Sequence, residues 1–107
     1  MAELTATKDN KGEITLAQAV AAYAYGLALS DFQQRSRVAD PARQVGMYLA
    51  HVSLRLGLRE VGRGFGRDHK AVAHACRRIE EAREDPAFDR TVEWLETLTR
   101  RAAGVAA

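Results

Sequence analysis

The sequence predicts an all-α protein, a small helical bundle that contains a helix-turn-helix. Alanine, leucine, glutamate and arginine dominate, and strict alternation of apolar and polar residues is nowhere sustained. The Asp-Pro pairs at 40–41 and 85–86 are typical helix starts, because aspartate caps a helix and proline is favoured at its first position. A chain of 107 residues has room for one such domain.

The polar N-terminus marks the predicted edge of that domain. Residues 1–13 are polar and contain the helix breaker Asn10-Lys11-Gly12, so we predict a disordered tail over 1–13 and one domain over 14–107. The first helix is predicted to begin with Thr15 as its cap, followed by Gln18 in a capping-box pattern, and to bury Tyr23.

Apolar residues at helical spacing predict the helices that follow. We expect one from Asp40 to Gly57, a short one over 58–65, another over 68–84 and a last one from Pro86. His74 and Cys76 are predicted to lie in the core. The last helix is predicted to pack on the first helix and on the helix over 68–84 through four side chains: Phe88, Val92, Leu95 and Leu98.

The order of the helices in the middle of the chain favours a helix-turn-helix. A long helix and a short helix precede a glycine-containing turn and a further helix, whose N-terminal residues would meet base edges in a DNA groove. The glycines at 62, 64 and 66 lack the spacing of a phosphate-binding loop, so we interpret them as positions of close backbone packing.

Positive charge is concentrated in the same region. Residues 34–79 contain ten Lys or Arg residues against three Asp or Glu, whereas the remainder contains six against eleven. A basic segment between acidic flanks is typical of a surface that binds a polyanion. Arginines on solvated helix faces are the structural alternative, and charge alone leaves both open.

Several classes of function are not expected. Cys76 and the three histidines lack the paired spacing of zinc ligands, and no nucleophile is paired with a base, so we expect no metal, no cofactor and no enzymatic activity. The single cysteine excludes an internal disulfide and agrees with a reducing compartment. No stretch reaches the ~18–20 apolar residues of a membrane span. We therefore expect a cytoplasmic, nucleoid-associated protein with no membrane partner and no small-molecule substrate.

Four motifs carry a resemblance to a known family. They are RSR at 35–37, ARQVGMYL at 42–49, LREVGRGFG at 58–66 and RDHKAVAHACRRI at 67–79. In the order and content of these motifs, the sequence resembles the C-terminal DNA-binding domain (domain IV) of the bacterial replication initiator DnaA, over about residues 14–103. It lacks the G-x-x-x-x-G-K-[ST] loop of an ATPase, so we expect a stand-alone domain and not a complete initiator.

The resemblance implies a set of DNA contacts. Arg35 would enter the minor groove, while Asp68 and His69 would open the recognition helix, with Asp68 both capping that helix and accepting a hydrogen bond from cytosine. Phosphates would be contacted by arginines of the neighbouring helices. The complete set of predicted DNA-binding residues is Arg35, Arg37, Arg43, His51, Arg59, Arg63, Arg67, Asp68, His69, Lys70 and Ala71.

The sequence departs from the family at two residues that would contact bases, at one residue of the short helix and in the turn. Lys70 and Ala71 replace two threonines, Arg59 replaces a proline, and Gly66 stands where most members have two glycines. The resemblance as a whole implies a sequence-preferring binder of double-stranded DNA that regulates replication initiation or transcription. The alternative is a regulator that has lost reading of the DnaA box and binds the initiator or its inactivating factors. Trp94 is a candidate anchor for such a protein partner, or else a residue at the edge of the core.

Overall fold

The computed structural model describes residues 10–32 and 40–104, and all regular elements in this part of the chain are helices, without strands. Its five α-helices are α1 (Lys11–Tyr25), α2 (Asp40–Tyr48), α3 (Leu58–Phe65), α4 (His69–Ala82) and α5 (Pro86–Ala103). A 3-10 turn at Leu29–Phe32 follows α1, and a π-helical turn at Leu49–Ser53 extends α2. The predicted all-α fold is therefore confirmed.

Helix α1 begins earlier than the sequence predicted. Its first residue is Lys11, and residues 1–9 of the predicted tail lie outside the described residues. Thr15 is an exposed residue within the helix, so the prediction that it is the cap is wrong. The buried stripe contains Ile14, Ala17, Val20 and Ala21. Tyr23 lies about 130° around the helix from the centre of that stripe and is 83% exposed, which corrects its predicted burial.

Helix α2 is the centre of the bundle and packs against both α1 and α4. Its buried side chains include Val45, Tyr48 and the following Leu49. The π-helical turn closes with a hydrogen bond from the Leu54 N–H to the Leu49 carbonyl at 3.0 Å, five residues back. Arg55 then takes a left-handed conformation (φ 61°) and ends the helical path short of Gly57, where the sequence predicted its end.

Glycines hold α3 close to its neighbours. A Cβ at Gly62 would collide with the Arg67 carbonyl oxygen, and one at Gly64 would lie 2.7 Å from Ile14 of α1. Gly66 ends α3 in the left-handed conformation (φ 70°), and the next N–H, that of Arg67, bonds to the Gly62 carbonyl at 2.8 Å. The glycine series therefore allows close packing, as the sequence predicted.

Helix α5 completes the bundle. It packs on α1, as the sequence predicted, and on the Leu49–Ser53 turn, whereas the predicted packing on α4 is no more than marginal. Val92 and Leu95 are buried, whereas Leu98 is 37% exposed, which corrects its predicted burial. Arg83, just after α4, joins three elements because its guanidinium donates to the Tyr48 hydroxyl at 2.9 Å and to Glu96 at 3.1 Å.

Candidate nucleic-acid interface

Helices α3 and α4 form a two-helix unit in which the start of α4 is open to solvent. The turn consists of Gly66 and Arg67, and Asp68 then caps α4 in an extended conformation. The Asp68 carboxylate accepts a hydrogen bond from the Ala71 N–H at 2.8 Å, as the sequence predicted. We call Asp68–Ala71 the reading end of α4. The positive end of the helix dipole lies here, which favours an anion.

The side chains of the reading end differ in their exposure. Asp68 and Lys70 are exposed, whereas His69 and Ala71 are half-buried. One Asp68 oxygen is used by the cap, and the other makes no hydrogen bond within the described residues. The reading end therefore offers one carboxylate oxygen, one ammonium group, one imidazole and one methyl group to a ligand.

The exposed face of α4 continues past the reading end. Lys70, His74 and Arg77 are all exposed and follow one another at i, i+4 and i+7, which places them on one face of the helix. His74 was predicted in the core and this is wrong, because it lies about 200° around the helix from the buried Val72. The angle of each residue around α4 from Val72 can be read from the sequence, and it identifies His74 and Arg77 as further members of this surface.

Helix α3 adds two arginines to the same unit. Arg59 and Arg63 are exposed and four residues apart, so they are neighbours on one face of α3. Arg67 is half-buried, and its guanidinium donates to the Gly66 carbonyl at 3.2 Å. Arg67 therefore braces the turn between the two helices.

Arg43 is placed differently from the prediction. It is only 2% exposed, and its guanidinium donates to Asp40 Oδ1 at 2.7 Å and to the Asp31 carbonyl at 3.1 Å. These bonds tie the start of α2 to the 3-10 turn. Because the guanidinium is buried, the prediction that Arg43 contacts a phosphate is corrected to a structural role.

His51 is half-buried and holds the loop between α2 and α3 through one of its two ring nitrogens. Its Nδ1 lies 2.8 Å from the Leu56 carbonyl oxygen. A carbonyl oxygen only accepts, so Nδ1 carries a proton and the ring holds the loop between α2 and α3. The other ring nitrogen, Nε2, is left for another partner. Predicted residues Arg35 and Arg37 lie outside the described residues.

A shallow groove of about 170 Å³ runs between α2 and α4 beside the reading end. Met47, Ala71 and Ala75 supply apolar atoms. The polar and charged residues that line the groove are Asp40, Arg43, Gln44, Arg67 and His74. Gln44 belongs to the ARQVGMYL motif, yet its side chain was not among the predicted contacts. The groove gives the reading end an apolar flank suited to a methyl group or a sugar ring.

The described residues contain no reactive thiol, no cluster of metal ligands and no membrane-spanning helix. Burial raises the pKa of the Cys76 thiol to about 11, with a further contribution from Glu80, so the thiol stays protonated and packed at neutral pH. Within the ranges 10–32 and 40–104, no three His, Cys, Asp or Glu side chains come together as metal ligands. In the same ranges, no helix has the length and apolar character of a membrane span.

The α3–turn–α4 unit, with its capped and open second helix, defines a helix-turn-helix protein. The family described as bacterial dnaA protein helix-turn-helix matches residues 14–79. The chain belongs to this family, which confirms the resemblance seen in the sequence.

Individual relatives agree with the family. The chain is 43% identical over 86 residues to the chromosomal replication initiator protein DnaA of Symbiobacterium thermophilum, an alignment that covers 76% of this chain and 18% of that protein. It is 34% identical over 97 residues to the DnaA of Thermoanaerobacter sp. (88% and 22%) and 43% identical over 84 residues to that of Caulobacter vibrioides (75% and 16%). The chain thus spans about a fifth of the length of the relatives it matches.

Proposed function

We propose that this chain binds double-stranded DNA with sequence preference, and that it regulates the initiation of chromosomal replication or transcription in the bacterial cytoplasm, at the nucleoid. The observation that carries the proposal is the open reading end of α4, in a two-helix unit whose α3 and α4 both carry exposed basic side chains. The relatives, which are named as replication initiators, support the link to replication.

The reading end has chemistry suited to base edges in the major groove. The free oxygen of Asp68 can accept from the amino group of cytosine, and the Ala71 methyl can contact the methyl of thymine. Lys70 can donate to guanine or to a phosphate, and His69 to either. Asp68 thus has two roles, capping and reading, because each uses a different oxygen.

The exposed arginines of α3 and α4 would fix the orientation of the protein on the duplex. Arg59 and Arg63 on α3 are placed for phosphate contacts, and so is Arg77 on α4, which was absent from the sequence prediction. His51 can join them through Nε2. We propose Arg35 and Arg37 as minor-groove and backbone contacts on the grounds of the RSR motif alone.

A second candidate function is that of a protein-binding regulator, which binds the initiator or the factors that inactivate it and no longer reads the DnaA box. The observation that favours it is the chemistry of Lys70 and Ala71, which cannot reproduce the hydroxyl contacts of the threonines in the family.

Fluorescence anisotropy on a DnaA-box duplex and a scrambled duplex, over a series of salt concentrations, separates the two functions. If about five phosphates are neutralised, the slope of log K against log[salt] is about −4 to −5. Arg63→Ala should weaken binding to both duplexes alike, whereas Arg100→Ala on α5 is the matched control and should leave binding unchanged. Absence of DNA binding at ~50 mM salt would reject the leading proposal in favour of the second.

The double variant Lys70→Thr with Ala71→Thr tests whether side chains of the reading end set the sequence preference. We expect it to raise the ratio of box to scrambled affinity, because it restores the hydroxyl and methyl groups that suit thymine and its neighbours. An unchanged ratio would mean that the placement of α4, and not its side chains, limits the reading of the box.

A further inference from the structure

Helix α5 presents an apolar pair on its outer face. Trp94 is 63% exposed and Leu98 is 37% exposed, and their i, i+4 spacing makes them neighbours on the helix surface. At this exposure Trp94 does not belong to the edge of the core. Val92, Leu95 and Thr99 form the buried face, whose centre lies about 130° around the helix from Trp94. An exposed tryptophan next to a leucine is the kind of surface that is covered in an interface.

The charges around this pair complement each other when the helix meets a copy of itself. Glu93 and Arg101 are both exposed, and neither takes part in an ion pair among residues 10–32 and 40–104. If two α5 helices cross antiparallel with Thr97 at the centre, Glu93 of each copy lies opposite Arg101 of the other. The two-fold symmetry of such a contact forms this pair twice.

The same arrangement places Trp94 and Leu98 of the two copies across the axis, where they cover one another. Arg90, one turn before Trp94, then lies opposite the C-terminal end of the other α5, at Gly104. A cation is favourable there because the last carbonyl groups of a helix carry partial negative charge. A parallel pairing would instead place Glu93 against Glu93 and Arg101 against Arg101, so the charges select the antiparallel one.

We propose that the occupant of this face is a second copy of the chain, and that the protein forms an antiparallel dimer through α5. The 18 residues of α5 extend for about 27 Å. A single helix pair of that length is at the small end of specific interfaces. The dimer should therefore form at micromolar concentrations. The dimer face lies entirely on α5 and uses no residue of the reading end of α4.

Sedimentation velocity of the intact chain from about 5 to 500 μM tests the dimer without DNA, so its result is independent of the proposed function. We expect the wild-type mass to shift from monomer to dimer across this range. Trp94→Ala should raise the dimer dissociation constant about tenfold or more and keep the helical circular dichroism, because Trp94 is outside the core. A wild-type chain that remains monomeric throughout overturns the proposal, and the face would then belong to a different protein.

Charge exchange tests the geometry of the pairing. Glu93→Arg and Arg101→Glu should each weaken the dimer alone. An equimolar mixture of the two single variants should recover dimer mass, because each chain then supplies the charge that the other needs. The double variant in one chain should recover it as well. Glu84→Arg, an exposed position outside this face, is the matched control and should dimerise like the wild type. A dimer that responds to none of these changes rules out the α5 interface.

Discussion

The two roles assigned to Asp68 can be separated by substitution. Its Oδ1 accepts from the Ala71 N–H at 2.8 Å at the exposed start of α4. Removing a cap of this kind costs about 1 kcal/mol. For a domain of this size that loss corresponds to a decrease in melting temperature of roughly 4–8 °C. We therefore expect Asp68→Ala to show this loss, whereas Asp68→Ser, whose hydroxyl also caps, should stay within a few tenths of a kcal/mol of the wild type.

In DNA binding, Asp68→Ala and Asp68→Ser should resemble each other and differ from the wild type in base discrimination. Both lose the second carboxylate oxygen, so both should lose discrimination for cytosine at one position, by about 1–3 kcal/mol. The assays are urea unfolding followed by circular dichroism, and anisotropy on duplexes that carry each base at the position. Equal stability of the Ala and Ser variants would refute the capping role. Unchanged base discrimination in both would refute the reading role.

The remaining predictions concern packing, a buried cation and a buried thiol. Gly62→Ala should lower the free energy of unfolding by about 1–3 kcal/mol, because the new Cβ meets the Arg67 carbonyl, while Gly12→Ala, with no atom within 4 Å, should not; urea unfolding measures both. Arg43→Met should lower stability by about 1–3 kcal/mol but leave the DNA affinity of the folded protein unchanged; a selective loss of affinity would restore its predicted phosphate contact. The Cys76 thiol should titrate, by absorbance at 240 nm, near its raised pKa of about 11 and not near 9.0. Because the pKa is raised on folding, the thiol's contribution to stability is present below pH 9 and is lost as the pH rises toward 11, and Cys76→Ala should remove that component.

Local signals in the sequence were sufficient to predict where the helices in the second half of the chain begin. Asp68 and Asp85 both accept hydrogen bonds from backbone N–H groups of the helices they precede. Such caps depend on residues only two or three positions apart, so no knowledge of the tertiary fold is required. The predicted range 58–65 coincides with α3 for the same reason, since Gly57 and Gly66 bound it.

Properties that depend on distant contacts were not predictable in this way. Arg43 counted toward the basic segment, yet one of its two partners, the Asp31 carbonyl, is 12 residues away and reaches it only through the fold. Tyr23 satisfied the spacing of a buried face, but α2 packs on another side of α1. The π-helical turn after Tyr48 has no recognisable pattern in the sequence, because its residues are equally compatible with an ordinary α-helix.

The turn between α3 and α4 bears on how this chain differs from its family. With a single glycine, Gly66, it still completes the hydrogen bond from the Arg67 N–H to the Gly62 carbonyl and delivers Asp68 to its capping position. Both of these hydrogen bonds form although the second glycine of most family members is absent. The shorter turn is therefore a stable connection. Lys70→Thr with Ala71→Thr then separates the two ways in which this chain differs from its family, because it changes the side chains at the start of α4 and keeps the shortened turn.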